Sequence, residues 1–352
     1  MAVGRHLVII VLLVEAALVV AAGAVLVAAA FARTLRLRRR APRLARARTE
    51  LVEALGAAEP LDTARVVIRG LSRRERVAML MGLAGSMRGT GRNRLGVLAA
   101  EAGVLTRARR MCRSLRWWRR LRGVRLFTLL GGGAHVVPRR LTDRNAEVRA
   151  AAVAWVADHA DEALIRSVLR RLYDPHPLVR FVAKNTLLRI GSPAVEPLAA
   201  HLAVRGGERI DDAMDVAIGL AGPRLLAPVL RLAVNPSPRT RAGVATIAAA
   251  VGGKSAVGVV TGLLDDPDSR VRAAAVAGLG KLGHWPAAPR LVSALSDPAW
   301  DVRRAAGHSL RNLGGPGILL LRRALHSPDP FASDMARQVL DLPDAVRRQG
   351  SA

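Results

Sequence analysis

The sequence has a single cysteine, Cys112, among its 352 residues. One cysteine excludes a disulfide framework within the chain and a cysteine-rich zinc site, and it is typical of a reducing compartment. Aromatic residues make up only 3% of the chain, whereas hydrophobic residues, mainly Ala, Leu and Val, make up 51%. Because strand formers such as Tyr, Phe and Thr are few, this composition predicts closely packed helices rather than sheets.

Lysine is also scarce, since only three of the 55 basic residues are lysine and the other 52 are arginine. The formal net charge is +28. Residues 33–125 carry 25 arginines against six acidic residues, which gives this segment a net charge of +19. The excess positive charge is therefore concentrated beside the N-terminal apolar segment instead of being spread over the whole surface.

The apolar segment Leu7–Phe31 contains 25 residues and one charged residue, Glu15. It is long enough to cross a bilayer as a helix. Many arginines follow it and only Arg5 precedes it, so the positive-inside rule predicts one spanning helix in the cell (inner) membrane, with the N-terminus outside and the rest cytoplasmic. Some of the following arginines are also candidates for contacts with anionic lipid: Arg36, Arg38, Arg39, Arg40 and Arg43.

The chain beyond the anchor divides into segments of different character. Ser72 and Glu75 form a capping-box pattern before an apolar run, which predicts a helix start. The segments are predicted as a membrane anchor at 1–32, a basic juxtamembrane segment at 33–50, a helical N-terminal region or cap at 51–117, a repeat array at 118–344 and a tail at 345–352.

The repeat array has a period of 30 or 31 residues. Its clearest copy runs from Asp266-Pro267 through Val271-Arg272 to Leu282-Gly283, and the next copy begins at Asp297-Pro298. The first copy is assigned to Trp118-Arg119, and a degenerate copy begins near Arg205, where Ile210 and Asp211 replace Val and Arg. The recurring Asp or Asn predicts the N-cap of the second helix of each hairpin, with Pro in its first turn. The recurring Val and the positions three, four and eight later are predicted to face the core.

This motif, which reads Asp-Pro-x-x-x-Val-Arg-x-Ala-Ala-x-x-x-Leu-Gly-x-Leu-Gly at 266–283, resembles the HEAT repeat family. The likeness is greatest to the short bacterial HEAT-like repeats of phycobilisome lyases and covers about residues 118–342. It implies an all-α chain in which about seven to eight helical hairpins stack into an α-solenoid, preceded by one transmembrane helix. The layout also resembles membrane-anchored bacterial HEAT proteins, some of which accompany membrane glycosyltransferases.

The arginine after each core Val, which is Thr240 in one copy, recurs, and we call these five residues the arginine ladder: Arg149, Arg180, Arg241, Arg272 and Arg303. Two interpretations are open. Each ladder arginine is predicted to bridge to the Asp or Asn of an adjacent repeat, because half-buried guanidinium groups favour carboxylates. Alternatively, the ladder forms a basic concave stripe that binds an acidic partner.

Two glycine patterns resemble nucleotide motifs only in their letters. Gly278-x-Gly280-x-x-Gly283 ends a predicted helix instead of following a strand, and Gly252-Gly253-Lys254-Ser255 lacks the upstream glycine and strand of a P-loop. No catalytic residue, metal ligand or cofactor is predicted. The sequence favours a non-enzymatic membrane-tethered scaffold for a protein partner; the alternatives are a nucleic-acid-binding HEAT protein and an enzyme like the bilin lyases.

Overall fold

The computed structural model describes residues 20–28, 31, 41–57, 60–87, 89–204 and 210–341. These residues form helices, short 3₁₀ turns and loops. They fall into two compact units, one containing residues up to Arg110 together with Leu129–Gly132, and the other containing Met111–Thr128 and the residues from Gly133 onwards.

The described residues of the first unit are largely helical. Residues 20–28 and 41–56 are helical. Four further helices follow: α1 (Asp62–Gly70), α2 (Arg73–Ala84), α3 (Gly89–Glu101) and α4 (Val104–Cys112). The predicted capping box is confirmed, because the Ser72 hydroxyl accepts from the Glu75 N–H and the Glu75 carboxylate accepts from the Ser72 N–H.

The predicted span Leu7–Phe31 lies mostly outside the described residues. Residues 20–28 and Phe31 are described, and all of them are exposed. Within the described parts of the chain, none of the helices combines the length and the apolar character that crossing a bilayer requires.

The repeat array fills the second unit with alternating first and second helices. The second helices are α5 (Trp117–Leu130), α6 (Ala146–Val156), α8 (Pro177–Ile190), α10 (Asp211–Leu220), α12 (Pro238–Val251), α14 (Ser269–Leu282), α16 (Trp300–Asn312) and α18 (Pro330–Asp341). The first helices are α7 (Glu162–Arg171), α9 (Val195–Val204), α11 (Leu226–Leu230), α13 (Lys254–Gly262), α15 (Ala288–Ser293) and α17 (Gly315–Ala324). Only a 3₁₀ turn, Pro138–Arg140, lies between α5 and α6. The predicted solenoid of stacked helical hairpins is therefore present.

Second helices pack directly on one another because the residues between them are small. A Cβ on Gly280 would lie 2.8 Å from the Cα of Ser309 on the next second helix, and one on Gly278 would lie 3.2 Å from the Cβ of Ala249 on the previous one. The Ser309 hydroxyl donates to the Val276 carbonyl at 3.0 Å. Glycine here permits a helix-to-helix distance that larger residues would prevent. The letters of a nucleotide fingerprint are thus explained by packing.

The helix starts correct the capping prediction. In α14 the N-cap is Asp268, two residues after the recurring Asp266, and Pro267 precedes the helix. The Asp266 carboxylate accepts from the Asp268 N–H at 2.9 Å, so this side chain shapes the turn that leads into the helix. Asp-Pro is compatible with both arrangements, because Asp readily bonds to the backbone N–H two residues later. The helix end is as predicted, since Gly283 is the C-cap with φ +62°.

Candidate functional site

Arg272 illustrates the geometry of the arginine ladder. Its Nη1 donates to the carbonyl oxygens of Asp266 and Pro267, at 2.9 and 3.1 Å, in the turn before its own helix. Its Nε and Nη2 donate to the two carboxylate oxygens of Asp297 in the next repeat, at 2.8 and 2.9 Å. One guanidinium group therefore holds two successive turns together, and the side chains of Arg272 and Asp297 are both largely buried.

Other repeats use the same arrangement. The forked pairs join Arg120 to Asp143, Arg149 to Asp174 and Arg241 to Asp266. The contact of Arg120 corrects the assignment of the first copy to Arg119. Sequence analysis missed Arg120 because the first spacing is 29 residues and because Ser114 stands where later repeats have Asp or Asn. Arg120 could have been found because it lies six residues after Ser114, and each ladder arginine lies six residues after the Asp or Asn position of its own repeat.

The aspartates of these forks, which we call the ladder carboxylates, stay ionised despite their burial. Burial of Asp174 would by itself raise its pKa, but the hydrogen bonds from Arg149 and from the His176 N–H, together with the charges of Arg149 and Arg171, outweigh burial and hold the pKa below its usual value. Such pairing is what makes a buried carboxylate tolerable. The ladder is therefore a set of charged, internally compensated clamps between repeats.

Among the residues that the structure describes, two predicted ladder arginines have no partner in such a carboxylate fork. Arg180 donates to the Asp174 and Pro175 carbonyls of its own turn at 2.9 and 3.1 Å, and its Nε lies 3.3 Å from Asp212. Arg303 likewise holds its own turn, while its guanidinium carbon lies 4.4 Å from the ring centroid of Phe331. Arg205, at the carboxylate position expected for Arg180, lies outside the described residues.

The degenerate repeat replaces the fork with a different polar contact. Asp211 stands at the ladder position, and Asn235 stands at the carboxylate position of the next repeat. The Asp211 carboxylate accepts from the Ser237 hydroxyl at 2.9 Å and from the Thr240 hydroxyl at 2.8 Å. Thr240 is buried where other repeats have Val, so the two irregular residues satisfy each other. We call this part of the array, between Arg180 and Arg241, the ladder break.

A charged network surrounds the ladder break. Lys184 lies 3.0 Å from Asp212 and 3.1 Å from Asp215, and Arg239 lies 2.8 Å from Asp215. The network links α8, α10 and α12, the three second helices at the break. Asp212 and Asp215 are therefore paired with basic side chains of the same chain.

Beside this network, α8 exposes an apolar ridge formed by Leu178, Phe181 and Leu188. Their exposed fractions are 41%, 60% and 40%. Residues three and ten positions apart lie on one face of a helix. The same three positions of α14 hold small or charged residues: Arg270, Ala273 and Gly280. Sequence analysis missed the ridge because apolar residues at helical spacing are read as core.

Residues expected at a membrane surface are only partly described. Arg36, Arg38, Arg39 and Arg40 lie outside the described residues, while Arg43 donates to the Gly70 carbonyl at 2.9 Å. No group of three or more metal-binding side chains converges within the described ranges. Gly252 and Gly253, with φ of +81° and +96°, form the turn between α12 and α13.

Comparisons with known proteins agree with this architecture. Residues 258–341 match the family model described as HEAT repeats. This C-terminal part of the array is therefore similar to HEAT repeats. A comparison with curated proteins found no match.

Solved structures with similar helical repeats include three of different origin. Kap95p, solved with RanGDP, has a TM-score of 0.50 and 14% identity over 83% of this chain, which spans 49% of Kap95p. An engineered protein has a TM-score of 0.41 and 17% identity, covering 84% of this chain and 98% of its own. The phycocyanin lyase CpcE–CpcF complex of Nostoc has a TM-score of 0.36 and 18% identity, covering 59% and 93%. The likeness to Kap95p concerns the fold alone.

Proposed function

We propose that this chain is a membrane-tethered scaffold that holds a membrane-associated protein partner on the second helices of its HEAT-repeat array. The observation that carries the proposal is the apolar ridge of Leu178, Phe181 and Leu188, which stands exposed beside the ladder break. An apolar centre rimmed by charged residues is typical of protein interfaces. The proposed role of the chain is to bind this partner, and no catalytic step is assigned to the chain.

The ladder supports the proposal by elimination. Arg149, Arg241 and Arg272 are saturated by carbonyl and carboxylate oxygens of their own array. Binding a partner through these groups would require the loss of buried ion pairs, which costs about 3–5 kcal/mol for each. The ridge carries no such cost, because water already contacts it.

Capture from native membranes tests the partner. The full chain and a Leu178→Ser/Phe181→Ser variant are crosslinked in membranes, and the recovered proteins are compared by mass spectrometry. Leu319→Ser is the matched control, since Leu319 is 57% exposed on α17, a first helix. We expect one membrane-associated protein to be recovered with the wild type and the control and to be lost with the ridge variant. Equal recovery with all three would overturn the role of the ridge, and recovery of nucleic acid instead of protein would overturn the scaffold function.

The tether is tested separately. The apolar residues 20–28 are helical and exposed, which suits contact with lipid. Deletion of residues 1–32 is expected to move the chain from the membrane fraction to the soluble fraction, and a reporter fused after residue 352 is expected to be active in the cytoplasm. A reporter that is active only outside the cytoplasm would reverse the proposed orientation.

A further inference from the structure

A shallow cleft lies at the start of the array, between the first turn of α5 and the turn before α6. We call it the tryptophan cleft; its volume is about 530 Å³, and Leu115, Arg116, Trp117, Trp118 and Arg144 are among its lining residues. Leu115 is 98% exposed, and Trp117 and Trp118 are 42% and 45% exposed. These large apolar side chains are thus in contact with water, and the packing of the array does not explain their exposure.

The cleft also holds arginines without carboxylate partners. Arg116 and Arg144 are exposed, and in the described part of the chain neither forms an ion pair. The neighbouring Arg120 is different, since its Nε and Nη2 both donate to the Asp143 carboxylate at 2.7 Å. The surrounding sequence from 102 to 142 contains 11 arginines and no acidic residue. The segment that precedes Asp143 therefore supplies no carboxylate to balance the charge of Arg116.

The chemistry of the cleft selects carboxylates. An arginine guanidinium binds a carboxylate through two parallel hydrogen bonds, and four such forks already join repeats within this array. The guanidinium carbons of Arg116 and Arg119 lie 5.9 and 5.4 Å from the Trp118 ring centroid. Because these two groups already lie over Trp118, the ring is poorly placed to stack on a nucleic-acid base, whereas Trp117 and Leu115 can pack against an aliphatic side chain.

We infer that the tryptophan cleft binds an acidic segment of a protein partner, with carboxylates on Arg116 and Arg144 and an apolar side chain against Leu115 and Trp117. This inference rests on the proposed scaffold function and names the chemistry of what the scaffold recognises. The cleft is a surface separate from the apolar ridge, since it lies at the start of α5 and the turn before α6, whereas the ridge lies on α8.

A peptide-binding measurement tests the inference on the full chain. The probe is a short fluorescein-labelled peptide of alternating Glu and Leu residues, and binding is followed by fluorescence anisotropy. The comparison probes are the corresponding Gln and Leu peptide, an oligothymidylate of the same charge, and vesicles of phosphatidylcholine with phosphatidylglycerol. The variant is Arg116→Gln/Arg144→Gln, and the matched control is Arg322→Gln/Arg323→Gln, which removes the same charge from exposed positions on α17.

We expect the acidic peptide to bind more tightly than the other probes, and the cleft variant to bind it about tenfold more weakly, because two exposed charge pairs are lost. The control variant should bind as the wild type does. An equal loss in both variants would refute a specific site, and preferential binding of oligothymidylate or of vesicles would refute the peptide. Failure here with ridge-dependent partner capture intact would refute the cleft alone, whereas cleft binding without a captured partner would refute the scaffold function.

Discussion

Removal of a single ladder carboxylate should destabilise the array far more than removal of an exposed one. The Asp174 side chain is 1% exposed, and that of its partner Arg149 is 12% exposed. Asp174 accepts from Arg149 at 2.7 and 2.8 Å and from the His176 N–H at 3.0 Å. Asp174→Ala leaves a buried guanidinium without its anion, so we expect a loss of about 3–5 kcal/mol in the free energy of unfolding.

Asp174→Asn should have an intermediate effect. An asparagine side chain can still accept from the His176 N–H, as Asn235 does for the Ser237 N–H at 2.9 Å. It loses the charge and one acceptor, so we expect a loss of about 2 kcal/mol. The double variant Arg149→Ala/Asp174→Ala should lose less than the sum of its two single variants, because no buried charge is left unpaired.

Urea unfolding followed by circular dichroism measures these changes, and hydrogen exchange of α6 and α8 localises them, since repeat arrays can open in part. The control is Glu196→Ala, which removes an exposed ion pair with Arg224 and should leave stability nearly unchanged. Our reasoning would be refuted by an Asp174→Ala variant that is no less stable than the Glu196→Ala control.

Three further predictions concern acid stability, packing and the thiol. The ladder aspartates have a lower pKa in the folded chain than in the unfolded chain, so stability should fall as pH drops below about 4 towards the folded-state pKa. Asp266→Asn should therefore flatten the dependence of the urea midpoint on pH. An unchanged slope would contradict this. Gly280→Ala places a Cβ 2.5 Å from that of Ser309 and should cost about 1–3 kcal/mol in thermal or urea unfolding. Gly258→Ala meets open space in a helix and should gain up to about 1 kcal/mol, so equal effects would refute the packing argument. Burial raises the pKa of Cys112 to about 11, so iodoacetamide should alkylate it slowly in the native chain and rapidly in urea, and fast native alkylation would show that the site is open.

The helical repeats were predictable from sequence because the same pattern recurs several times along the chain. The period and the glycine stops fixed the order of first and second helices, and the core position of Val271 is confirmed by its complete burial. The exact role of Asp266 was not predictable, since an aspartate can cap a helix or shape the turn before it with the same neighbours. The local sequence does not distinguish a side chain that bonds to the N–H two residues later from one that bonds inside the helix.

The irregular residues were harder to predict for a different reason. Asp211 and Thr240 each read as a failed copy of the motif, and only their 2.8 Å hydrogen bond explains them as a pair. Their separation of 29 residues resembles any other spacing between repeats. A sequence search for the recurring motif discards such compensating pairs, because it scores each copy by itself.

In this chain, the residues that recur between repeats differ from the residues that are available to bind a partner. A residue that recurs along the array meets similar neighbours in several repeats, so Arg149 and Arg272 are bound by oxygen atoms that the array itself supplies. A partner would have to replace these contacts at a cost of several kcal/mol before any binding energy was gained. A residue that occurs once, such as Phe181 on α8, has no counterpart to cover it and remains in water. The free energy available for binding therefore lies where the repeat departs from its own pattern.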